Sequence, residues 1–135
     1  MPVLLPVTIR EMEFEDLEEV YEIERSSFSS PWKKEIFVNE IKSSYSRILV
    51  AVKDEQIAGF IILWKLPGVL HIVNLAVHKK FRRQGIGQHL ICSAVALGNP
   101  AAYFVRLEVR TSNRPAQQLY EKMGFRKCGY NDRYY

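Results

Sequence analysis

Three β-rich segments joined by short turns constrain the fold of this chain more than any other feature. They cover residues 47–54, 56–66 and 69–77, and the turn-forming pairs Asp54-Glu55 and Pro67-Gly68 mark their boundaries. Runs rich in valine, isoleucine and aromatic residues are typical of strands. Connections this short join antiparallel strands, because a parallel pair needs a crossover of about a dozen residues or more. The sequence therefore predicts an antiparallel meander.

Helices and further strands flank this meander on both sides. We expect strands at residues 7–12, 103–110 and 125–130, and helices at 13–28, 33–42, 88–98 and 112–124. The helix at 88–98 lies between the last meander strand and the strand at 103–110, which makes those two strands a parallel crossover pair. The predicted fold class is α/β with a mixed sheet. No repeat, linker or low-complexity segment interrupts residues 1–135, which are expected to form a single domain.

The composition restricts the compartment and the class of partner. A net charge of +4 and a pI of about 9.1 suit an anionic ligand, a nucleic acid or a ribosome-associated partner without selecting among them. Cys92 and Cys128 are far apart, which favours a reducing compartment, and the histidines are not spaced as metal ligands. No apolar run reaches the roughly 20 residues of a membrane span, and the N-terminal apolar stretch contains two prolines with no basic region before it. We expect a cytoplasmic protein without signal peptide, membrane contact or metal.

The segment KKFRRQGIGQHLI, residues 79–91, places four cations and two glycines at the start of a predicted helix. Unpaired amides and a partial positive charge make a helix N-terminus attractive to anions. Glycines let the backbone approach a ligand closely, and consecutive amides can then surround a phosphate. The segment is either a pyrophosphate site or a tight turn with a solvated basic face, and the glycines alone leave both open.

Two common phosphate loops are excluded. A P-loop requires Lys-Ser or Lys-Thr after its glycines, which is lacking here. A dinucleotide fingerprint requires a third glycine where this chain has Leu90, and it opens a parallel sheet rather than following antiparallel strands.

Two longer stretches carry a resemblance to a known family. NLAVHKKFRRQGIGQHLI, residues 74–91, resembles the acetyl-CoA motif of the GNAT N-acetyltransferases, whose core reads Arg/Gln-x-x-Gly-x-Gly/Ala. LEVRTSNRPAQQLYEKMGF, residues 107–125, resembles the second half of the same fold. With FSSPW at 28–32 and NDRYY at 131–135, the chain is most similar to the RimI-type branch, which acetylates the N-terminal alanine of a small-subunit ribosomal protein. The resemblance covers essentially the whole chain.

The resemblance implies acetyl-CoA as the cosubstrate. It implies that amides of the basic turn hold the pyrophosphate, and that the last meander strand pairs with the pantetheine arm while one of its amides polarises the thioester carbonyl. By residue type alone, residues 75–77 form an ordinary buried strand and Asn113 is a helix cap. The cofactor-binding residues carried over are Leu75, Ala76 and Val77 on the strand, Arg83, Gln84, Gly85, Ile86, Gly87 and Gln88 in the turn, and Asn113.

Glu108 and Tyr120 fall at the catalytic positions of the family. By alternation Glu108 shares a strand face with Arg106 and Arg110, a pattern that is also typical of an exposed, salt-bridged glutamate. Tyr120 lies on the last helix, where an aromatic residue is ordinarily part of the core. The resemblance implies instead that Glu108 is the general base, acting through water, and that Tyr120 is the general acid in a direct transfer. An α-amino group, with a pKa of about 8, deprotonates more readily than a lysine at about 10.4, which favours a terminal amine as acceptor.

Two pairs of residues are implied for the acceptor. Pro31 and Trp32 are expected to shape the acceptor loop, although Trp32 equally fits simple packing beneath a loop. Tyr134 and Tyr135 resemble a tyrosine pair that contacts the acceptor peptide in related enzymes. The implied partner is a protein N-terminus, first of all a ribosomal protein that begins with alanine, and no direct contact with nucleic acid is expected.

The C-terminus departs from the family pattern. Family members continue beyond the tyrosine pair into a last strand, which lies between the strands expected here at 103–110 and 125–130. Because this sequence ends at Tyr135, we expect the segment from Phe125 to be displaced, disordered or paired with another chain, as in a homodimer through this edge.

Three functions stay open at this point. The first is an N-terminal protein acetyltransferase. The second is a GNAT enzyme for a lysine or a small-molecule amine, and the basic charge argues mildly against a polyamine. The third is a non-catalytic CoA-binding or ribosome-binding module, which the C-terminal departure favours and the presence of both Glu108 and Tyr120 disfavours.

Overall fold

The protein is a twisted sheet with helices on both faces, known from a computed structural model that describes residues 6–98, 104–109, 113–125, 127–128 and 133–134. The strands are β1 (Thr8–Glu11), β2 (Ser46–Lys53), β3 (Gln56–Leu66), β4 (Val69–Val77), β5 (Phe104–Glu108), β6 (Lys127–Cys128) and β7 (Arg133–Tyr134). The helices are α1 (Leu17–Ser27), α2 (Lys34–Lys42), α3 (Ile86–Gly98) and α4 (Arg114–Lys122), with short 3₁₀ turns at Phe14–Asp16 and Lys79–Phe81. Within the described residues the sheet order is β1-β2-β3-β4-β5-β7-β6.

The predicted meander is confirmed in β2, β3 and β4, which pair antiparallel in sequence order. Asp54 and Glu55 both have positive φ, 53° and 62°, as a tight two-residue hairpin requires. β4 and β5 are parallel with α3 as their crossover, also as predicted. The fold class, a mixed α/β sheet, is therefore confirmed.

Each face of the sheet buries its own core. The α3–α4 face includes Ile61, Leu90 and Tyr120 among its buried residues. The α1–α2 face includes Val20 and Phe37. Burying one such large side chain completely stabilises the fold by about 1.5–3 kcal/mol before the entropy cost of ordering it, so both layers hold the central strands in place.

One extra residue in β4 changes the direction in which its side chains point. β3 pairs Ile62 with Asn74 and the next residue, Leu63, with Ile72, so Val73 is bulged. Ile72 and Leu75 pack in the α3–α4 core although they are three residues apart, and Val73 packs in the α1–α2 core. Asn74 also points to the α1–α2 face, because its side chain reaches α1.

The expectation about the C-terminal segment is wrong where the structure describes it. β7 lies between β5 and β6, pairing antiparallel with both, so Arg133–Tyr134 takes the position expected to lack a strand. β6 likewise pairs within the chain instead of being displaced. The physical reason is that β6 and β7 pair antiparallel with each other, and β7 satisfies the edge of β5 at Leu107 and Glu108 that would otherwise stay unpaired. A homodimer through this edge stays a prediction.

Candidate active site

β4 and β5 separate partway along their length. Their parallel pairing runs from Val69–Phe104 to Ile72–Leu107. Beyond Ile72, among the described residues, β4 continues to Val77 paired only with β3. The bulge at Val73 begins where this separation begins. Among the described residues no strand pairs with the edge of Leu75–Val77 that faces away from β3, and a ligand could pair there as another strand would. At its end, Arg82 Nε donates a hydrogen bond to the backbone oxygen of Val77 at 3.1 Å.

A cleft of about 190 Å³ occupies the separation. It brings together five residues that were singled out from the sequence, and four others that were not. Its lining consists of Phe28, Trp32, Val73, Asn74, Leu75, Glu108, Val109, Asn113 and Tyr120. The two predicted catalytic residues thus lie at one site although they are twelve positions apart on different elements.

Glu108 ends β5 with its side chain 42% exposed. Leu107 beside it is fully buried in the α3–α4 core, so alternation directs Glu108 to the opposite, α1–α2 face. Its Oε1 lies 3.4 Å from Nε2 of His71, whose ring stacks edge-on against Trp64 at 5.4 Å. The carboxylate thus has a buried polar neighbour and keeps access to water.

Tyr120 reaches the cleft from the other face. It is a buried residue of α4 in the α3–α4 core, and its ring contacts Phe125 at 6.2 Å between centroids. The tyrosine is therefore a core residue that also lines the cleft, and its role as general acid stays a prediction. Glu108 and Tyr120 approach the cleft from opposite faces of the sheet.

The basic turn ends in a set of amides without acceptors inside the helix. The hydrogen bond from His89 N–H to Gly85 O, at 3.0 Å, is the first i→i−4 bond of α3. The amides of Ile86, Gly87 and Gln88 precede it and have no acceptor within the helix. Arg83 and Gly85 have positive φ, 64° and 78°, and a Cβ at Gly85 would meet open space. The turn thus fits an anion, as expected for the pyrophosphate of acetyl-CoA.

The second glycine of the turn has a different role. A Cβ on Gly87 would lie 2.9 Å from Cδ2 of Leu119 on α4, so a larger residue would force Leu119 to move. Gly87 therefore lets α3 lie close to α4, and Gly85 alone needs glycine's conformational freedom here.

The remaining predicted residues divide into those at the cleft and those beyond it. Asn113 caps α4, with Oδ1 accepting from Ala116 N–H at 3.2 Å, and it also lines the cleft. Trp32 lines the cleft and packs against Phe37 at 5.8 Å, whereas Pro31, in the same loop, is not among the cleft residues. The backbone of Tyr134 lies in β7, and Tyr135 falls outside the described residues.

Sequence reasoning missed three polar residues at or behind the cleft: Glu24, His71 and Asn74. Glu24 lies in line with the apolar stripe of α1, and His71 and Asn74 interrupt the apolar run of β4. Each of these positions faces a core, so a polar residue there is a signal that could have been used. All three prove to be buried.

Two absences can be stated for the described residues. In that part of the chain no three His, Cys, Asp or Glu side chains are grouped so that they could hold a metal ion. None of the helices found there has the length and apolar character needed to cross a membrane.

Comparison with known proteins gives a family and relatives. Residues 17–125 match the model of the acetyltransferase (GNAT) family. A Bacillus subtilis protein named as a candidate alanine N-acetyltransferase of ribosomal protein bS18 is 42% identical over 129 residues, which cover 94% of this chain and 85% of that protein. The Escherichia coli ribosomal protein bS18-alanine N-acetyltransferase is 30% identical over 132 residues, covering 95% and 86% of the two chains.

Solved structures agree with the sequence relatives. The crystal structure of the Escherichia coli enzyme superposes with a TM-score of 0.82 at 27% identity, covering 92% of this chain and 80% of that one. The structure of Arabidopsis thaliana NAA60 in complex with acetyl-CoA superposes with a TM-score of 0.79 at 26% identity, covering 92% and 87%.

Proposed function

Because this chain belongs to the acetyltransferase (GNAT) family, and is an acetyl-CoA-dependent N-acetyltransferase of that kind, we propose that its acceptor is the α-amino group of a protein N-terminus. The first candidate is a ribosomal protein that begins with alanine, which is the acceptor named for its relatives from two bacteria. The observation that carries the proposal is the cleft at the β4–β5 separation, where Glu108 and Tyr120 meet on this fold.

The residues present fit acetyl-CoA. When bound, it supplies an activated acetyl thioester to the amine and leaves as a thiol. The open edge of Leu75, Ala76 and Val77 suits the pantetheine arm, and the amides of residues 83–88 suit the pyrophosphate. Asn113 keeps its carboxamide at the cleft by capping α4, which supports the proposed contact with the donor.

Glu108 is the proposed general base. A base must lie within hydrogen-bond reach of the amine, directly or through one water, and Glu108 lines the cleft while 42% of its side chain is exposed. His71 Nε2, 3.4 Å from its Oε1, is a buried polar neighbour of this carboxylate. The proton that Glu108 takes from the amine can then pass to solvent.

Tyr120 is the proposed general acid. Its hydroxyl is an O–H donor, and α4 presents it from the face of the sheet opposite to Glu108. A proton released at Tyr120 therefore reaches the leaving sulfur on the side away from the incoming amine. The nitrogen loses its second proton as the amide forms, and a proton taken up from solvent restores the phenol, so one proton is released overall. No covalent enzyme intermediate is needed for this transfer.

The proposed acceptor is tested with two peptides and acetyl-CoA, followed by mass spectrometry. One peptide begins with a free alanine and has no lysine, and the other has a blocked N-terminus and an internal lysine. We expect the alanine peptide alone to gain one acetyl group. Glu108→Gln should lower kcat by about 100-fold or more, because positioned general bases contribute roughly that factor.

The matched control is Glu22→Gln, which removes an exposed carboxylate that pairs with Arg25 and does not line the cleft. It should leave kcat unchanged. Acetylation of the lysine peptide alone would move the function to side-chain amines. Binding of acetyl-CoA with no acetylation of either peptide would favour a different acceptor or a binding module.

A further inference from the structure

A carboxylate without solvent access lies directly behind the cleft. Glu24 of α1 is 0% exposed. Its Oε1 accepts a hydrogen bond from Asn74 Nδ2 at 2.7 Å, and its Oε2 accepts one from the backbone N–H of Trp32 at 2.8 Å. Burying a carboxylate is costly unless donors compensate it, and both donors here belong to residues that line the cleft. Glu24 therefore joins the acceptor loop and the bulged strand to α1.

Glu24 also fixes the direction of the Asn74 carboxamide. A carboxylate accepts hydrogen bonds and a side-chain amide has one accepting and one donating end, so the end of Asn74 that faces Glu24 is the NH₂ group. The Oδ1 atom then points away from Glu24. Among the described residues no hydrogen bond to Oδ1 is found, and Asn74, 6% exposed, lines the cleft.

We propose that Asn74 Oδ1 accepts a hydrogen bond from the acceptor amine and that Glu24 is the positioning residue that keeps this oxygen turned to the cleft. The inference rests on the proposed function, since it assigns a binding role at the same site. An ammonium group carries three N–H donors. Glu108 takes one proton, Asn74 holds a second N–H without removing it, and the nitrogen lone pair left by deprotonation is directed to the acetyl carbon.

The bulge in β4 makes this arrangement available. Val73 and Asn74 both point to the α1–α2 face, while Ile72 and Leu75 stay in the opposite core. In a regular strand Asn74 would point to the α3–α4 core and could not meet Glu24. The same face also carries Glu108, so the proposed base and the proposed amine-binding oxygen are on one side of the sheet.

The test compares Glu24→Gln and Asn74→Ser with Glu19→Gln as the matched control. Glutamine at position 24 offers an N–H as well as a C=O, which lets the Asn74 carboxamide turn its NH₂ group to the cleft. Serine at 74 is too short to place an oxygen at the same point. Glu19 is also an α1 carboxylate that accepts a backbone N–H, from Ile57 at 3.1 Å, but it does not line the cleft.

Binding is measured by calorimetry in the presence of CoA, with an alanine-starting peptide and with its propionyl-starting analogue, in which hydrogen replaces the amino group. The wild-type protein should bind the amine peptide at least tenfold more tightly than the analogue, because hydrogen bonds to charged groups are among the stronger ones. Both cleft variants should reduce that preference to less than threefold. Their CoA affinity should stay within twofold of wild type, and Glu19→Gln should keep the full preference.

Three outcomes would overturn the inference. These are a wild-type protein without preference for the amine peptide, variants that keep the preference, or variants in which CoA and peptide affinity fall together, as a general loss of structure would cause. Thermal unfolding of each variant identifies the last case. Failure of the proposed function would be seen separately. A wild-type protein that prefers the amine peptide but transfers no acetyl group would refute the proposed catalysis, while the proposed binding of the amine by Asn74 would stand.

Discussion

The contact between β1 and the start of α1 predicts a pH-dependent part of the stability. Arg10 donates two hydrogen bonds to Asp16, from Nη1 to Oδ2 at 2.7 Å and from Nη2 to Oδ1 at 3.0 Å. The backbone N–H of Glu13 donates to the same carboxylate at 2.8 Å. The hydrogen bond from Arg10 lowers the pKa of Asp16 below its ordinary value, with help from Glu13 and against the opposing effect of burial. The perturbation we consider is Asp16→Asn.

The size of the effect follows from exposure. The side chain of Arg10 is 38% exposed and that of Asp16 is 11% exposed. Solvent screens the ion pair on the arginine side, so its contribution is about 1 kcal/mol. The bond from Glu13 to a largely buried carboxylate adds about 1–2 kcal/mol. Since asparagine keeps one accepting oxygen, Asp16→Asn should lower the free energy of unfolding by about 2 kcal/mol, or the Tm by about 6–10 °C for a chain of this size.

The sign of the pH dependence is fixed by the direction of the shift. The pKa of Asp16 is lower in the folded than in the unfolded protein, so its carboxylate stabilises the fold above the unfolded pKa of about 3.9. That contribution is lost as the pH falls through the folded pKa. Urea unfolding at neutral pH should therefore separate wild type from Asp16→Asn, and the separation should shrink in more acidic buffers because a protonated aspartic acid resembles asparagine.

The control is Glu22→Gln, in the exposed pair with Arg25 whose side chains are 57% and 62% exposed. It should cost no more than about 0.5 kcal/mol. If Asp16→Asn costs no more than this control, or if its full cost persists at a pH below the folded pKa, the reasoning is refuted.

Two further predictions concern the donor side of the cleft. Tyr120→Phe should lower kcat by about 100-fold or more, because the proton donor is lost. The Kd for acetyl-CoA, measured by calorimetry, should change less than threefold, because the ring that packs near Phe125 is kept. A variant with the wild-type kcat would exclude Tyr120 as the general acid. Gly59→Ala should weaken acetyl-CoA binding and lower the free energy of unfolding by about 1–3 kcal/mol, because the new Cβ would lie 2.9 Å from the backbone oxygen of Ala76 and push β4 outward. Denaturant unfolding and calorimetry check both effects, and unaltered donor affinity in a destabilised Gly59→Ala protein would contradict the proposed role of the Leu75–Val77 edge.

Local patterns made much of the fold predictable from the sequence. The meander could be predicted because its turns are short and contain residues suited to positive φ, such as Gly68 at 73°. The crossover was predictable because an apolar helical segment separates two strands, and Asn113 caps α4 as its residue type indicated. Glu108 and Tyr120 were identified through a resemblance, since their patterns alone also fit a surface glutamate and a core tyrosine.

Features that depend on pairing across the sheet were not predictable in this way. VLHIVNLAV is a continuous apolar run in which no residue marks Val73 as bulged, because the offset exists only relative to β3. Glu24 follows several other acidic residues of α1, so its charge suggested solvent exposure while its position on the apolar stripe indicated the opposite. The pairing of β7 depends on the chain returning to β5, which no local pattern encodes.

The separation of β4 and β5 places acceptor binding and donor binding, as proposed, on opposite sides of one sheet. In the proposed assignment, residues 28–32 and Asn74 serve the acceptor on the α1–α2 side, while the turn after β4 serves the donor near α3 and α4. The two sets share no segment of loop, so acceptor preference can change through exchange of the short α1–α2 connection while the donor contacts are inherited unchanged. A lineage with this fold can thus diversify its targets at a handful of positions, and an engineer can graft that connection between relatives as a unit.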